Sequence, residues 1–379
     1  MGFGGILAAC GSSSSSSTAT TSASSNTTSG SSAGLAQAQQ LVATAMAPPP
    51  WQGPTTKVDT SNLSGKTVWL INLTEEIPAL HEWAAVAQAD LQRAHVNVQI
   101  CDAKGTPEGI TSCLQQAIAA KPNVIVPMAL DTTYIHSYIQ QANAAGIKVI
   151  TAQTGTPGIP QGTGAVAEVT FNYPEVGKIL GAWFAVQSKC VGYPQIITST
   201  SARQPSAAEV AGMQQEISQA CPSSKPLPVL NSLIPDWGTT LATTTRSTLT
   251  ANPSIKYMLP LYDGMTIYMV PAIQQMGLAS KVQVGSFNAT PVVMQNELAK
   301  PSALAADVGG PNQWYGDALA DQTFRVLAGA PVVPSENVPL RLFTRANVGT
   351  INVNADESTW YGSVNYNCNY DKLWGMSCN

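Results

Sequence analysis

Thr67-Val68-Trp69-Leu70-Ile71-Asn72 is a nearly unbroken apolar run of strand length, and the rest of the chain is read outward from it. Residues 78–94 follow, with Leu80, Trp83, Ala84, Ala87 and Leu91 on one helical face. A second strand is expected over 96–100, a helix over 106–120 and a third strand over 124–127. A helix over 132–145 stops at Gly146, and a fourth strand runs over 149–152. Strands buried on both faces read as continuous apolar runs, and their alternation with helices predicts a parallel sheet with right-handed crossovers. After Phe171 the alternation restarts. Helices are expected over 174–188, 206–220, 239–251, 265–276, 291–298 and 312–328, and strands over 194–198, 228–233, 255–261, 282–287 and 304–308. No short fixed period recurs, so the reading is two α/β lobes and not a solenoid.

The chain has 379 residues, 44% hydrophobic and only 11% charged, with a net charge of −4. That length suits two cores plus tails. Clustered Lys and Arg, which nucleic-acid binding needs, are missing. No apolar stretch is long enough to span a membrane. Gly5-Ile6-Leu7-Ala8-Ala9-Cys10-Gly11 resembles the lipobox of bacterial lipoproteins, which implies lipidation at Cys10. The apolar segment before it is short and carries no Lys or Arg, which points to a start codon further upstream. Residues 11–33 are almost all Ser, Thr, Gly, Ala and Asn and read as a flexible leash.

Six further cysteines are Cys101, Cys113, Cys190, Cys221, Cys368 and Cys378. Nearness in sequence favours Cys101–Cys113, Cys190–Cys221 and Cys368–Cys378, although spacing does not settle connectivity. Disulfides fit an oxidising, extracytoplasmic compartment. There is no CxxC and His is scarce, so neither a metal nor any other cofactor is expected.

The order of elements over 66–348 resembles a type I periplasmic binding protein of the ribose-binding group of sugar transporters. Four phrases carry the resemblance: Ile71 to Pro78, Ala144 to Thr151, Leu261-Tyr262-Asp263-Gly264-Met265, and Val284-Gly285-Ser286-Phe287-Asn288. It implies two Rossmann-like lobes joined by a hinge of three crossovers, near Phe171, Gly309 and Val338. The lobes would comprise 66–171 with 310–338, and 172–309 with 339–350. Residues 1–10 would be a signal remnant, 11–65 linker and lead-in, and 351–379 an extra surface segment stapled by a disulfide. Repressors of this fold need an N-terminal DNA-binding unit, where this chain has its Ser/Thr leash.

Ligands of open α/β sheets bind at the carboxyl ends of strands. The candidates are therefore Glu76, Pro78 and Leu80 after the first strand, and Gln153 and Thr154 after the fourth. In the other half they are Glu209, Trp237, Tyr262, Asp263 and Asn288, with Trp314 after a crossover. Gln153 and Thr154 stand where the family often has an Asp-Arg pair, Glu209 near a common Arg, and Asn288 at a ligand-binding Asp. Arg203 is the one cation near the expected cleft. Amides and aromatic faces suit neutral sugars or polyols, while the acids and tryptophans would also suit an amine. The expectation is a monomeric, lipid-anchored solute-binding protein that serves a membrane ABC permease. A ligand-presenting sensor is the alternative. No nucleophile–base pair points to an enzyme.

Overall fold

The computed structural model describes residues 1–2, 26–158, 161–333 and 336–378. Cys10 and most of the Ser/Thr tract lie outside the described residues. In chain order the elements are α1 (Asn26–Met46), β1 (Thr67–Asn72), α2 (Pro78–Arg93), β2 (Asn97–Asp102), α3 (Pro107–Ala120), β3 (Val124–Met128), α4 (Thr132–Ala144), β4 (Lys148–Ala152) and β5 (Ala167–Phe171). The second half begins with α5 (Tyr173–Ser188), β6 (Gln195–Thr198), α6 (Arg203–Ala220), β7 (Leu230–Asn231), α7 (Trp237–Ala251), β8 (Tyr257–Pro260), α8 (Asp263–Gln275) and β9 (Gln283–Asn288). It continues with α9 (Pro291–Val293), β10 (Leu304–Gly309), α10 (Asn312–Ala328), β11 (Glu336–Val338), β12 (Arg341–Thr344) and α11 (Tyr366–Leu373).

Two six-stranded sheets result, ordered β11-β5-β4-β3-β1-β2 and β12-β10-β9-β8-β6-β7. Every pair is parallel except β10 with β12. The two-lobe fold expected from the alternation is the observed one. Strand β5 and the short β11 and β12 were not read from sequence; β5 carries Glu168 and Thr170 in its run, which interrupts the apolar signal.

The chain passes between the sheets after Phe171, at Gly309-Gly310-Pro311, and at Pro339-Leu340. Phe171 is the centre of this junction. Its ring lies 5.6 Å from Trp83, 4.7 Å from Tyr315, 5.3 Å from Phe287 and 6.2 Å from Tyr173. Gly310 packs so closely on it that a Cβ there would lie 2.4 Å from the ring. In the second lobe α5 and α6 pack almost backbone to backbone, because Gly177 brings its Cα against the Glu209 carbonyl.

Of the expected linker and lead-in, the described part from residue 26 is packed on the lobes, and so is the expected surface segment at the other end. Helix α1 lies on α5 and α6 of the second lobe. The lead-in then crosses the hinge, where Arg341 donates to the Met46 carbonyl, and Trp51 stacks on Trp314 of α10 at 5.1 Å and 17°. Arg325 donates to the Thr56 carbonyl, and Thr60 to that of Trp374. The tail crosses too. Gln295 of the second lobe holds the Val353 carbonyl. Glu357 accepts from the backbone N–H groups of Asn312 and Gln313, capping α10 in the first. Trp360, Tyr361, Tyr366 and Tyr370 are fully buried, so residues 351–378 add to the core instead of decorating it. The physical reason is that α10 presents Trp314 and Asp321 outward, and the tail's Tyr370 and Trp374 bond to them. All three expected disulfides are present.

Trp51 is the anchor of the lead-in, half-buried between Trp314 and Tyr370. Trp51→Ala is expected to lower the free energy of unfolding in urea by about 2 kcal/mol.

Candidate functional site

The strands of the two sheets point their carboxyl ends at one another, and a small cavity lies between them. The first lobe contributes Leu73 after β1, Ile77, Leu80 and Trp83 at the start of α2, Ala129 after β3 and Gln153 after β4. The second contributes Tyr173 at the start of α5, Ala202 and Pro205 around the start of α6, Ile234 after β7, Tyr262 after β8 and Asn288 ending β9. The lobes are closed on each other. Arg203 pairs with Asp131 across the gap at 3.6 Å. Gln204 accepts from the Thr132 backbone N–H at 3.1 Å. Arg203 is otherwise exposed and belongs to the closure contact, not to the cavity wall.

The wall is strained at three positions, two of them its amides. Ala129, Gln153 and Asn288 have left-handed or otherwise positive φ values of 59°, 62° and 129°. Each such residue costs about 1–3 kcal/mol, and such costs gather at functional sites. Buried acids behind the wall hold the two amides in these conformations. Glu168 accepts from the Thr154 backbone N–H at 3.0 Å and its hydroxyl at 2.8 Å, which fixes the Gln153-Thr154 turn. Asp263 accepts from the Thr290 N–H at 2.7 Å and its hydroxyl at 2.6 Å, while Asp307 accepts from Ala289 N–H. Together they fix the turn that presents Asn288. Burial pushes the Glu168 and Asp263 carboxyls up to about 7. The amide nitrogen of Gln153 and the amide oxygen of Asn288 are buried without a hydrogen bond of normal geometry.

The aromatic walls are also held from behind. Trp83 spends its indole N–H on the Asn312 side chain at 2.8 Å, so only its ring faces the cavity. The hydroxyl of Tyr262 lies 2.9 Å from that of Ser206, whose own proton goes to the Ser199 carbonyl at 2.7 Å. Tyr262 is therefore the donor of that pair. Among the described residues no group of His, Cys, Asp and Glu could hold a metal ion, and no helix is long and apolar enough to cross a membrane.

A parallel two-lobe fold with a cavity between opposed strand ends agrees with the sequence comparison, in which residues 70–331 match the periplasmic binding protein domain. The chain belongs to the periplasmic binding protein family. No curated protein matches it in sequence. Among solved structures, this periplasmic binding protein is similar to an ABC transporter solute-binding protein from Agrobacterium vitis with bound allitol. The identity is 21%, the TM-score 0.70, and the match covers 76% of this chain and 98% of that one. It is also similar to an ABC sugar transporter subunit from Rhodobacter sphaeroides, with 21% identity, a TM-score of 0.68 and coverage of 76% and 100%. A Bacillus halodurans solute-binding protein with bound myo-inositol gives 16%, 0.67, 76% and 98% in the same order.

The structure brings Leu80, Gln153, Tyr262 and Asn288 to the cavity of this binding protein and leaves the other candidates outside its lining. Glu76 is exposed in the loop before α2, and Pro78 is the first residue of that helix, where its ring starts the helix without facing the space. Thr154 and Asp263 act behind Gln153 and Asn288, as described. Trp237 packs behind Tyr262, 6.3 Å between rings, and donates to the Ser232 carbonyl. Trp314 faces away from the cavity into the terminal segments, stacked between Trp51 and Tyr366. Glu209 is fully buried near Tyr173 and Tyr262 with neither oxygen hydrogen-bonded, and burial holds its carboxyl well above the usual range. The expected acid-lined cleft is thus corrected. Its carboxyls form a layer behind an uncharged wall, because only neutral side chains tolerate the closed, water-poor space in front. Sequence reading missed Trp83 and Tyr173 as wall residues. The first is one turn after Leu80 on the same helical face, and the second is two residues past the Phe171 crossover.

Because the folded state raises the carboxyl of Glu168, the stability it contributes is full at acid pH and is lost as pH rises through about 7. Relative to Glu168→Gln, the unsubstituted chain is expected to lose about 3 kcal/mol of unfolding free energy between pH 4.5 and 8, read from urea curves at each pH. Gly155 tests closure separately. Its φ is 105°, and a Cβ there would lie 2.8 Å from the Gln204 carbonyl of the other lobe. Gly155→Val is expected to keep the lobes apart, giving a larger radius of gyration by small-angle scattering with solute present than the unsubstituted chain shows.

Proposed function

We propose that this protein is the extracytoplasmic solute-binding component of an ABC importer and that it captures a small neutral solute of the sugar or polyol kind by closing its lobes. The observation that carries the reading is the cavity itself, closed between opposed strand ends and lined by both lobes, with no charged side chain among the described residues that line it. A solute that touches both walls favours the closed form by the difference in its affinity for closed and open states. The closed form then docks on a membrane permease, and the protein catalyses nothing. An anion finds no cation in the wall and a layer of acids behind it, so it is rejected. The solved relatives bound to allitol and myo-inositol agree in fold with this ligand class. Gln153 and Asn288 are assigned the polar contacts, and Leu80, Trp83, Tyr173 and Tyr262 the apolar ones. Lipidation at Cys10 and a monomeric state complete the proposal.

One observation favours an amine as a second reading: Glu209 is a buried carboxyl near two wall tyrosines, with no hydrogen-bond partner. The two readings separate by titration calorimetry against sugars, polyols and amines. On the sugar reading, Gln153→Ala and Asn288→Ala each weaken binding roughly tenfold or more, while Glu209→Gln retains it. Binding of amines alone, abolished by Glu209→Gln, would establish the second reading instead.

A further inference from the structure

The polar equipment of the cavity is too small for a fully hydroxylated solute. Among the described residues, Gln153 and Asn288 are the only side-chain amides in the wall. Trp83 has already spent its N–H on Asn312, and Tyr262 has spent its proton on Ser206. That leaves the Asn288 amide, the Gln153 amide beside the Tyr173 hydroxyl with which it interacts, and the Tyr262 oxygen as an acceptor, fewer groups than the hydroxyls of a hexitol or cyclitol. The rest of the lining includes the aliphatic side chains of Leu73, Ile77, Leu80 and Ile234, which come from both lobes. A hexitol or cyclitol carries a hydroxyl on every carbon. Each hydroxyl buried here without a partner lowers affinity roughly tenfold.

We infer that the preferred solute is a sugar derivative stripped of hydroxyls along one edge, namely a deoxy sugar or an alkyl or aryl glycoside, whose apolar edge lies on Leu80, Ile77 and Ile234 while Gln153 and Asn288 hold the polar edge. The inference rests on the sugar reading given above and narrows it. Aromatic faces of Trp83 and Tyr262 cover the C–H faces of the ring, an interaction that needs no hydroxyl. Specificity then lies with the aliphatic side chains of the lining. A hydroxyl placed against these aliphatic side chains finds no side-chain partner among them, which disfavours it by roughly ten- to a hundredfold.

The test is calorimetry with matched pairs on the full chain: D-galactose against D-fucose, L-mannose against L-rhamnose, D-glucose against its methyl and phenyl β-glucosides, with allitol and myo-inositol alongside. The expected result is that the deoxy sugar or glycoside of at least one pair binds tenfold or more tighter than its parent, with a more negative heat-capacity change. Leu80→Asn should shrink that ratio, with retained thermal unfolding showing that the variant is folded. Parents binding as tightly as their derivatives would overturn the inference and leave the sugar reading standing. Failure of every sugar, polyol and glycoside to bind would overturn the sugar reading itself and the inference with it.

Discussion

The molecule turns on the ring of Phe171. It ends the last strand before the first crossover and touches Trp83 and Tyr315 of one lobe and Tyr173 and Phe287 of the other. Edge-to-face and tilted pairs of this kind contribute about 0.5–1.5 kcal/mol each beyond the area they bury. Trp83 and Tyr173 also show their other surfaces to the cavity. Hinge and binding wall are therefore one aromatic cluster. On the proposed reading, a solute in the cavity would touch Trp83 and Tyr173 and so press on the pivot itself. Gly310 belongs to the same arrangement, since any side chain there would collide with the ring that the hinge surrounds.

The terminal segments bear on the same pivot. Besides the three crossovers, the lead-in runs from α1 on the second lobe to Trp51 on the first, and the tail runs from Val353 to Glu357 and α11. Arg341 ties both straps together by donating to the carbonyls of Met46 and Trp360. Added passages between lobes narrow the range of hinge angles by raising the number of backbone segments that must bend at once. The Cys368–Cys378 bridge ties the end of the tail to α11, which packs on α10.

Behind the wall, acids serve where the surface needs neutrality. Glu168 on one side and Asp263 with Asp307 on the other accept backbone N–H groups of the turns carrying Gln153 and Asn288. Burial keeps these carboxyls toward their protonated form, which limits the cost of enclosing them. The arrangement repeats in both lobes: a strained amide at a strand end, with a carboxyl one layer deeper. This is how a chain with few charged residues builds a rigid polar contact in a space that closes against water.

Much of the fold was legible because its signal is local. Continuous apolar runs such as Thr67–Asn72 and Val124–Met128, separated by amphipathic helices, define parallel strands whatever surrounds them. The three disulfides were legible for the same reason, since partners lie near each other in the chain. Four wall residues, Leu80, Gln153, Tyr262 and Asn288, could be read from their places at strand ends. Position after a strand does not say which side chain points inward, however, and that is why Thr154, Asp263, Glu76 and Trp314 were misplaced. A backbone that turns through positive φ at Gln153 and Asn288 sends each amide forward and its neighbour back, and such a turn is held only by a carboxyl distant in sequence. Local pattern was enough for the two α/β lobes, the family resemblance supplied the crossovers, and nearness in the chain favoured the cysteine pairs that the structure contains. Only the tertiary structure decided that the carboxyls stand behind the wall, that Trp83 and Tyr173 form it, and that both termini are built into the hinge, because each depends on contacts between segments that no local pattern connects.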